Sequence, residues 1–133
     1  MNEPEINSTA SAELIVAESD LATVLSPDLF PAVFATSRMV ALMELAGARL
    51  LQPFLRPGEL SVGVTLDISH TAATPPGITV TATARYLGRD GKLFLFEVVA
   101  HDSGGEIGRG THKRAIVSAE RLLSGAARRT STA

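Results

Sequence analysis

The residues of this sequence that could do chemistry are a carboxylate, Glu44, the three histidines, and hydroxyls near them such as that of Thr36. Glu44 lies in the apolar run 39–46, where an ionised carboxylate is costly unless it is paired. His70 stands at the end of a predicted strand, and an imidazole suits general acid or base chemistry near neutral pH. Thr36 lies near the start of a predicted helix, where its pattern favours capping the helix, although it could also hold a substrate oxygen or water.

Structural interpretations of the same residues stay open at this point. Glu44 could reach water at the rim of the helix, and His70 could simply be held by hydrogen bonds; for His101 and His112 the structural interpretation is favoured. The three histidines lack the spacing of a metal-binding motif. The sequence has no cysteine, which excludes disulfides, thiolate zinc sites, iron–sulfur clusters and cysteine nucleophiles. We therefore expect chemistry by oxygen and imidazole groups, without a metal.

The basic residues concentrate at one end of the chain. Residues 1–30 contain six acids and no base, whereas residues 109–133 contain six bases and one acid. These ends could be solvated surface, or the basic end could lie near an anionic ligand such as a nucleotide phosphate. Arg109, Lys113 and Arg114 are then candidate phosphate partners. The run 108–110, Gly-Arg-Gly, resembles part of a phosphate loop, but it lies inside a predicted strand and is a weak nucleotide signal.

The elements that must position these residues follow from the changes in hydrophobic period. A strand is predicted over 13–18, a long helix over 33–52 that ends at Pro53, and four further strands over 60–71, 78–87, 92–101 and 106–120. Asp90-Gly91 is a strong hairpin signal between the third and fourth strands. The sequence therefore predicts a strand, a helix and a four-strand antiparallel meander, an α+β fold.

The predicted helix is apolar on nearly every side. Arg38 and Arg49 fall about 20° apart on a helical wheel and can share a solvent-facing strip, which Glu44 cannot join. Such a helix has to be covered nearly all round, and a sheet of about five strands can do that by curling around it. This is the hot-dog arrangement. We expect two such domains to pair through their sheets, since pairing removes an exposed sheet edge.

Composition bounds the remaining possibilities. The length of 133 residues fits one domain, predicted over 12–123, with flexible segments at 1–11 and 124–133. A net charge of −2 and few aromatic residues argue against a nucleic-acid partner. No signal peptide and no apolar stretch of spanning length is visible, so we expect a cytoplasmic protein that does not enter a membrane.

Five blocks of the sequence resemble one known family over residues 12–120. They read PAVFAT at 31–36, MVALME at 39–44, HTAATPPG at 70–77, AHD at 100–102 and EIGRGTH at 106–112. These blocks resemble the fluoroacetyl-CoA thioesterases, and 70–77 is the most specific. The resemblance implies a homodimeric hot-dog enzyme that hydrolyses a short acyl-CoA to the free acid and CoA without a cofactor. It implies catalytic roles for Thr36, Glu44 and His70 and a substrate contact at Gly63.

Phe30 and Arg109 are the further substrate-binding candidates, Arg109 through the CoA phosphates. The family has an aromatic gate over its acyl pocket; Phe30 matches one of its two rings, and Pro27 stands at the place of the other. Glu44 could attack the thioester directly or activate a water. Two other functions remain open: a non-catalytic acyl-CoA-binding or resistance module, and a hot-dog hydratase that acts on an enoyl thioester.

Overall fold

A five-stranded antiparallel sheet curls around one α-helix in the computed structural model, which describes residues 3–131. In chain order the strands and α-helices are β1 Thr9–Ile15, α1 Thr36–Leu51, β2 Glu59–His70, β3 Thr79–Asp90, β4 Leu93–Asp102, β5 Gly105–Ser118 and α2 Ala119–Arg129, with short 3-10 turns at Glu18–Asp20, Ala22–Val24 and Gln52–Phe54. The predicted α+β fold with about five strands around a central helix is confirmed.

The order of strands in the sheet is β1-β3-β4-β5-β2. Strands β3, β4 and β5 form the predicted meander, and Gly91 with a φ of 62° makes the tight turn between β3 and β4. The predicted four-strand meander is wrong in one respect, because β2 pairs with β5 instead of β3. As a result β2 forms one edge of the sheet. Period-2 alternation finds strands but does not contain their pairing order.

The core lies between the concave face of the sheet and one side of α1. Every second residue of β3, from Val80 to Tyr86, is fully buried, as the alternation predicted. Met39, Met43 and Ala46 of α1 are also fully buried against this face. Since β3 and α1 contact each other and the neighbouring strands, the position of α1 relative to the sheet is fixed by packing.

The helix is shorter and less covered than its sequence predicted. It begins at Thr36 and ends at Leu51, because residues 33–35 are held in extended backbone before the first turn. Arg38 and Arg49 are exposed as predicted, and Leu45 lies between them with 43% of its surface exposed. The sheet therefore leaves one strip of α1 open instead of covering it all round.

Regular structure extends into both ends for which the sequence predicted flexibility. Strand β1 begins at Thr9, four residues before the predicted start, and α2 occupies 119–129 with Ser118 as its side-chain N-cap. In the part of the chain described, α2 contributes no buried residue. Residues 1–2 and 132–133, the outermost parts of the two predicted flexible segments, lie outside the described residues. Among 3–131, no helix is long and apolar enough to cross a membrane.

Candidate active site

Thr36 and His70 form a direct hydroxyl–imidazole pair. The Oγ1 of Thr36 lies 2.7 Å from Nδ1 of His70. The chain before α1 runs beside the chain after β2, where the Phe34 N–H donates to the Thr74 carbonyl, and this brings the two residues together. The predicted capping role of Thr36 is wrong, because Ala35 is the N-cap and Thr36 is the first helical residue. Its hydroxyl is therefore free to bond the imidazole.

A cavity of about 310 Å³ opens at this pair. Its walls combine the segment before α1 with the segment after β2: Ala22, Phe30, Pro31, Val33, Phe34, Thr36, His70, Thr71, Ala72 and Ala73. The predicted substrate residue Phe30 is thus at the cavity, with 41% of its surface exposed. The Nε2 atom of His70 is buried and has no hydrogen-bond partner among residues 3–131. An imidazole with one nitrogen on a hydroxyl and the other unpaired is suited to moving a proton.

Glu44 belongs to a second cluster. Its Oε2 lies 3.3 Å from Nη1 of Arg114, and 38% of its side chain is exposed, so the carboxylate has a partner and also reaches the rim of the helix. Gly63 lies directly against the carboxylate: a Cβ at that position would overlap Glu44 Oε2. Because glycine has no side chain, the Glu44 carboxylate can occupy the space beside β2 that a side chain at position 63 would fill.

Arg114 is an interior residue of this second cluster, so its interpretation as a phosphate partner is wrong. Only 5% of its surface is exposed, and Ser61 accepts hydrogen bonds from its Nε and Nη2, each at 2.9 Å. Burial lowers the pKa of Arg114, and the neighbouring Glu44 carboxylate opposes that shift. The guanidinium is thus held between Ser61 of β2 and Glu44 of α1.

His112 completes the cluster and is fully buried. Its Nδ1 lies 2.9 Å from the Thr65 carbonyl and its Nε2 lies 3.1 Å from Nη1 of Arg114. Burial lowers the pKa of His112, and the positive charge of Arg114 lowers it further. A signal for this cluster is present in the sequence: residues 110, 112 and 114 alternate along a predicted strand and therefore point to the same side of the sheet.

Within one chain the two clusters lie apart. Thr36 and Glu44 are separated by eight residues of helix, about 12 Å. His70 and Gly63 are separated by seven residues of β2, roughly 20 Å along the strand. The structure thus brings Thr36 to His70 and Glu44 to Gly63, but a single chain does not bring the predicted trio of Thr36, Glu44 and His70 to one point.

The Gly-Arg-Gly run is explained by strand packing. A Cβ at Gly108 would overlap the Ser69 carbonyl and Met39, and one at Gly110 would overlap the Asp67 carbonyl. Arg109, on the opposite face of β5, donates two hydrogen bonds to Glu106, which raise its pKa. Its role in substrate binding stays a prediction.

Comparison with known proteins places this geometry in a family. Residues 16–120 match the sequence model of the family described as fluoroacetyl-CoA-specific thioesterase. The chain belongs to the fluoroacetyl-CoA thioesterase family. The match covers α1 and β2–β5, so it contains both clusters.

Relatives of this family agree over most of the chain. The fluoroacetyl-CoA thioesterase of Streptantibioticus cattleyicolor is 50% identical over 93 residues, which are 70% of this chain and 67% of the relative. A solved structure of the fluoroacetyl-CoA thioesterase superposes with a TM-score of 0.89 at 39% identity, over 96% of this chain and 98% of that one. A variant of that enzyme in complex with fluoroacetate and CoA superposes at 0.83 and 40% identity, over 89% and 98%. The predicted family is confirmed.

Proposed function

We propose that this chain is an acyl-CoA thioesterase that hydrolyses short acyl-CoA esters to the free acid and CoA. Membership of a thioesterase family supports thioester hydrolysis as the reaction. The observation that carries the proposal is the 2.7 Å pair of Thr36 and His70 at the mouth of a cavity. A hydroxyl paired with an imidazole is a common nucleophile and base for acyl transfer, and no cofactor is required for this reaction.

The reaction follows from the chemistry of these groups. Thr36 Oγ1 attacks the thioester carbonyl carbon while its proton passes to Nδ1 of His70. The C–S bond then breaks, and the CoA thiolate takes that proton. A water attacks the resulting acyl-threonine ester, again giving its proton to His70, and the acid leaves as Thr36 regains its hydrogen. Glu44, paired with Arg114, orients this water and stabilises the imidazolium.

The cavity favours a short acyl group. Its volume of about 310 Å³ has to hold the acyl carbons and the end of the thiol arm, which leaves the nucleotide outside. Phe30 lies at the cavity, whereas Pro27 is exposed and offers no second aromatic ring. With only one ring of the family's gate, we expect acetyl-CoA to be hydrolysed as well as fluoroacetyl-CoA.

The complete site requires a homodimer in this proposal. Strand β2 is a free edge of twelve residues that exposes Leu60, Val64 and Leu66, and such an edge favours pairing with another strand. Two β2 strands paired antiparallel about Leu66 and Asp67 would place Gly63 opposite His70 of the partner subunit. Because Glu44 lies against Gly63, this pairing joins the two clusters across the interface.

Thiol release from purified protein tests the proposed activity. Acetyl-, fluoroacetyl-, propionyl- and butyryl-CoA are incubated with the wild type and with His70→Asn, which retains a group near the Nδ1 position but cannot take up a proton. We expect thiol release from at least one ester by the wild type and a loss of about a hundredfold or more in His70→Asn.

The same experiment separates the other functions. Intact esters that raise the thermal stability of the wild type would indicate a binding module and contradict the proposal. Loss of enoyl-CoA absorbance without thiol release would indicate a hydratase. Equal thiol release by wild type and His70→Asn would show that the Thr36–His70 pair does not carry the reaction.

A further inference from the structure

Arg114 donates a hydrogen bond to His112, a residue that has no part in the proposed reaction. Nη1 of Arg114 is shared between Glu44 Oε2 at 3.3 Å and His112 Nε2 at 3.1 Å. Its Nε and Nη2 are taken by Ser61. The guanidinium is therefore fixed from three elements: β2, β5 and α1. Of these partners, only His112 has an acceptor atom that becomes a donor instead, depending on the tautomer of the imidazole.

The hydrogen-bond partners of His112 determine its tautomer. A backbone carbonyl only accepts, so Nδ1, 2.9 Å from the Thr65 carbonyl, must carry the hydrogen. Guanidinium nitrogens only donate, so Nε2 must present its lone pair to Arg114. The imidazole is neutral in this arrangement. If the imidazole gained a second hydrogen, at Nε2, that hydrogen would face an N–H of Arg114, and the hydrogen bond between the two residues would be lost.

The surroundings of His112 keep the imidazole in this state. The charged groups that act on it are Arg114 on its own strand and Glu44 on α1; β2 presents the Thr65 carbonyl, and β4 presents the ring of Phe96 at 6.1 Å between centroids. Desolvation and Arg114 together lower the pKa of His112, against the smaller raising effects of the Thr65 carbonyl and Glu44. Protonation therefore requires a pH below the ordinary histidine range.

Packing leaves the imidazole and the guanidinium little freedom. Helix α1 carries Gly47 above both, and a Cβ there would lie 3.2 Å from Cδ of Arg114 and 3.3 Å from Cδ2 of His112. The side chain of His112 thus cannot turn away from Arg114 without displacing its neighbours. This rigidity is what a group that orients another group needs.

We propose that His112 is a positioning residue: as a neutral acceptor it holds the Arg114 guanidinium in place, and Arg114 in turn holds the Glu44 carboxylate at Gly63. His112 touches no substrate in this scheme. The proposal rests on the proposed thioesterase for its kinetic consequence, but the positioning itself can be measured without any substrate.

Two variants of His112 provide a matched test. His112→Gln keeps an acceptor near the Nε2 position, within reach of Arg114. His112→Asn keeps a donor for the Thr65 carbonyl but is too short to reach Arg114. We expect His112→Asn to lower kcat for acetyl-CoA by roughly tenfold, the scale found for groups that orient a functional residue, with little change in KM. His112→Gln should retain most of the wild-type kcat.

Nuclear magnetic resonance supplies the measurement that needs no activity. We expect imidazole nitrogen spectra of the wild type to give the neutral Nδ1–H tautomer for His112 at pH 7. Hydrogen exchange at the Arg114 Nε–H should be about tenfold faster in His112→Asn than in the wild type, and close to the wild type in His112→Gln. As the pH falls below the ordinary histidine range, exchange relative to His112→Gln should increase in the wild type.

The possible results distinguish this proposal from the proposed activity. An Nε2–H tautomer, or equal Arg114 exchange in all three proteins, would overturn the positioning role. Absence of thiol release by the wild type would overturn the thioesterase and leave the exchange test valid. If His112→Asn does not fold, the tautomer and the pH dependence of exchange in the wild type relative to His112→Gln decide the question.

Discussion

At the scale of single residues, the site depends on side chains that secondary structure leaves free. Thr36 begins α1, yet its hydroxyl bonds His70 because Ala35 occupies the N-cap position. The first turn of the helix is thus held by backbone contacts, and the hydroxyl contributes nothing to it. A residue in this situation can be altered with a large effect on chemistry and a small effect on folding.

Replacing Thr36 by valine tests this separation. Valine keeps the shape of threonine but removes the hydroxyl, so we expect Thr36→Val to lower kcat by about a hundredfold or more and to leave the melting temperature nearly unchanged. Thr36→Ser should retain much of the activity. Thr71→Val serves as the control, because Thr71 lines the same cavity and, within residues 3–131, its hydroxyl bonds only the Ile107 carbonyl. A comparable loss in Thr71→Val would contradict a specific role for Thr36.

The sequence predicts the environment of some of these residues but not their partners. Desolvation predicts that an ionised Glu44 in an apolar run has either a partner or access to water at the rim of the helix. Its partner, Arg114, is seventy residues away and sits in a basic stretch that reads as solvated surface. The pairing depends on how β5 is placed relative to α1, which no local pattern contains.

At the scale of elements, the approach of α1 to β2 defines the second cluster. The contact is possible because Gly63 has no side chain where the Glu44 carboxylate lies. Alternation and turn signals were sufficient to predict the helix, the strands and the hairpin, since these depend on nearby residues. The edge position of β2 and the helix α2 were missed: the first is a matter of long-range pairing, and α2 is an exposed helix whose polar sequence resembles a tail.

A single methyl group at Gly63 tests the importance of this approach. In Gly63→Ala the new Cβ displaces the Glu44 carboxylate, and a displacement of about 1 Å can cost about a hundredfold in rate. We expect kcat for acetyl-CoA to fall roughly ten- to a hundredfold, measured by thiol release. Gly125→Ala is the matched control, because among the residues that the structure describes its Cβ would meet nothing closer than Arg128 Nη2 at 3.9 Å. Wild-type kcat in Gly63→Ala would show that the position of the carboxylate does not matter.

At the scale of the whole molecule, the chain contains every group of the proposed site but does not assemble them alone. Thr36 and His70 lie at the end of β2, and Glu44 meets Gly63 seven residues earlier in the strand. A twofold axis between Leu66 and Asp67 of two antiparallel β2 strands would exchange the positions of Gly63 and His70. If two chains pair along β2, this pairing explains both why β2 exposes apolar residues and why the two clusters lie apart within one chain.

Mixing two inactive variants tests this assembly. Glu44→Gln has an intact His70, and His70→Asn has an intact Glu44, so a mixed dimer holds one complete site if each site takes its two residues from different subunits. After the two proteins are unfolded together and refolded, we expect about a quarter of the wild-type activity, since half of the dimers are mixed and each has one good site of two. Light scattering should give twice the 13.9 kDa of one chain for every sample. If a mixture of that mass recovers no activity, one site does not combine Glu44 of one subunit with His70 of the other. A mass of one chain would exclude the shared site.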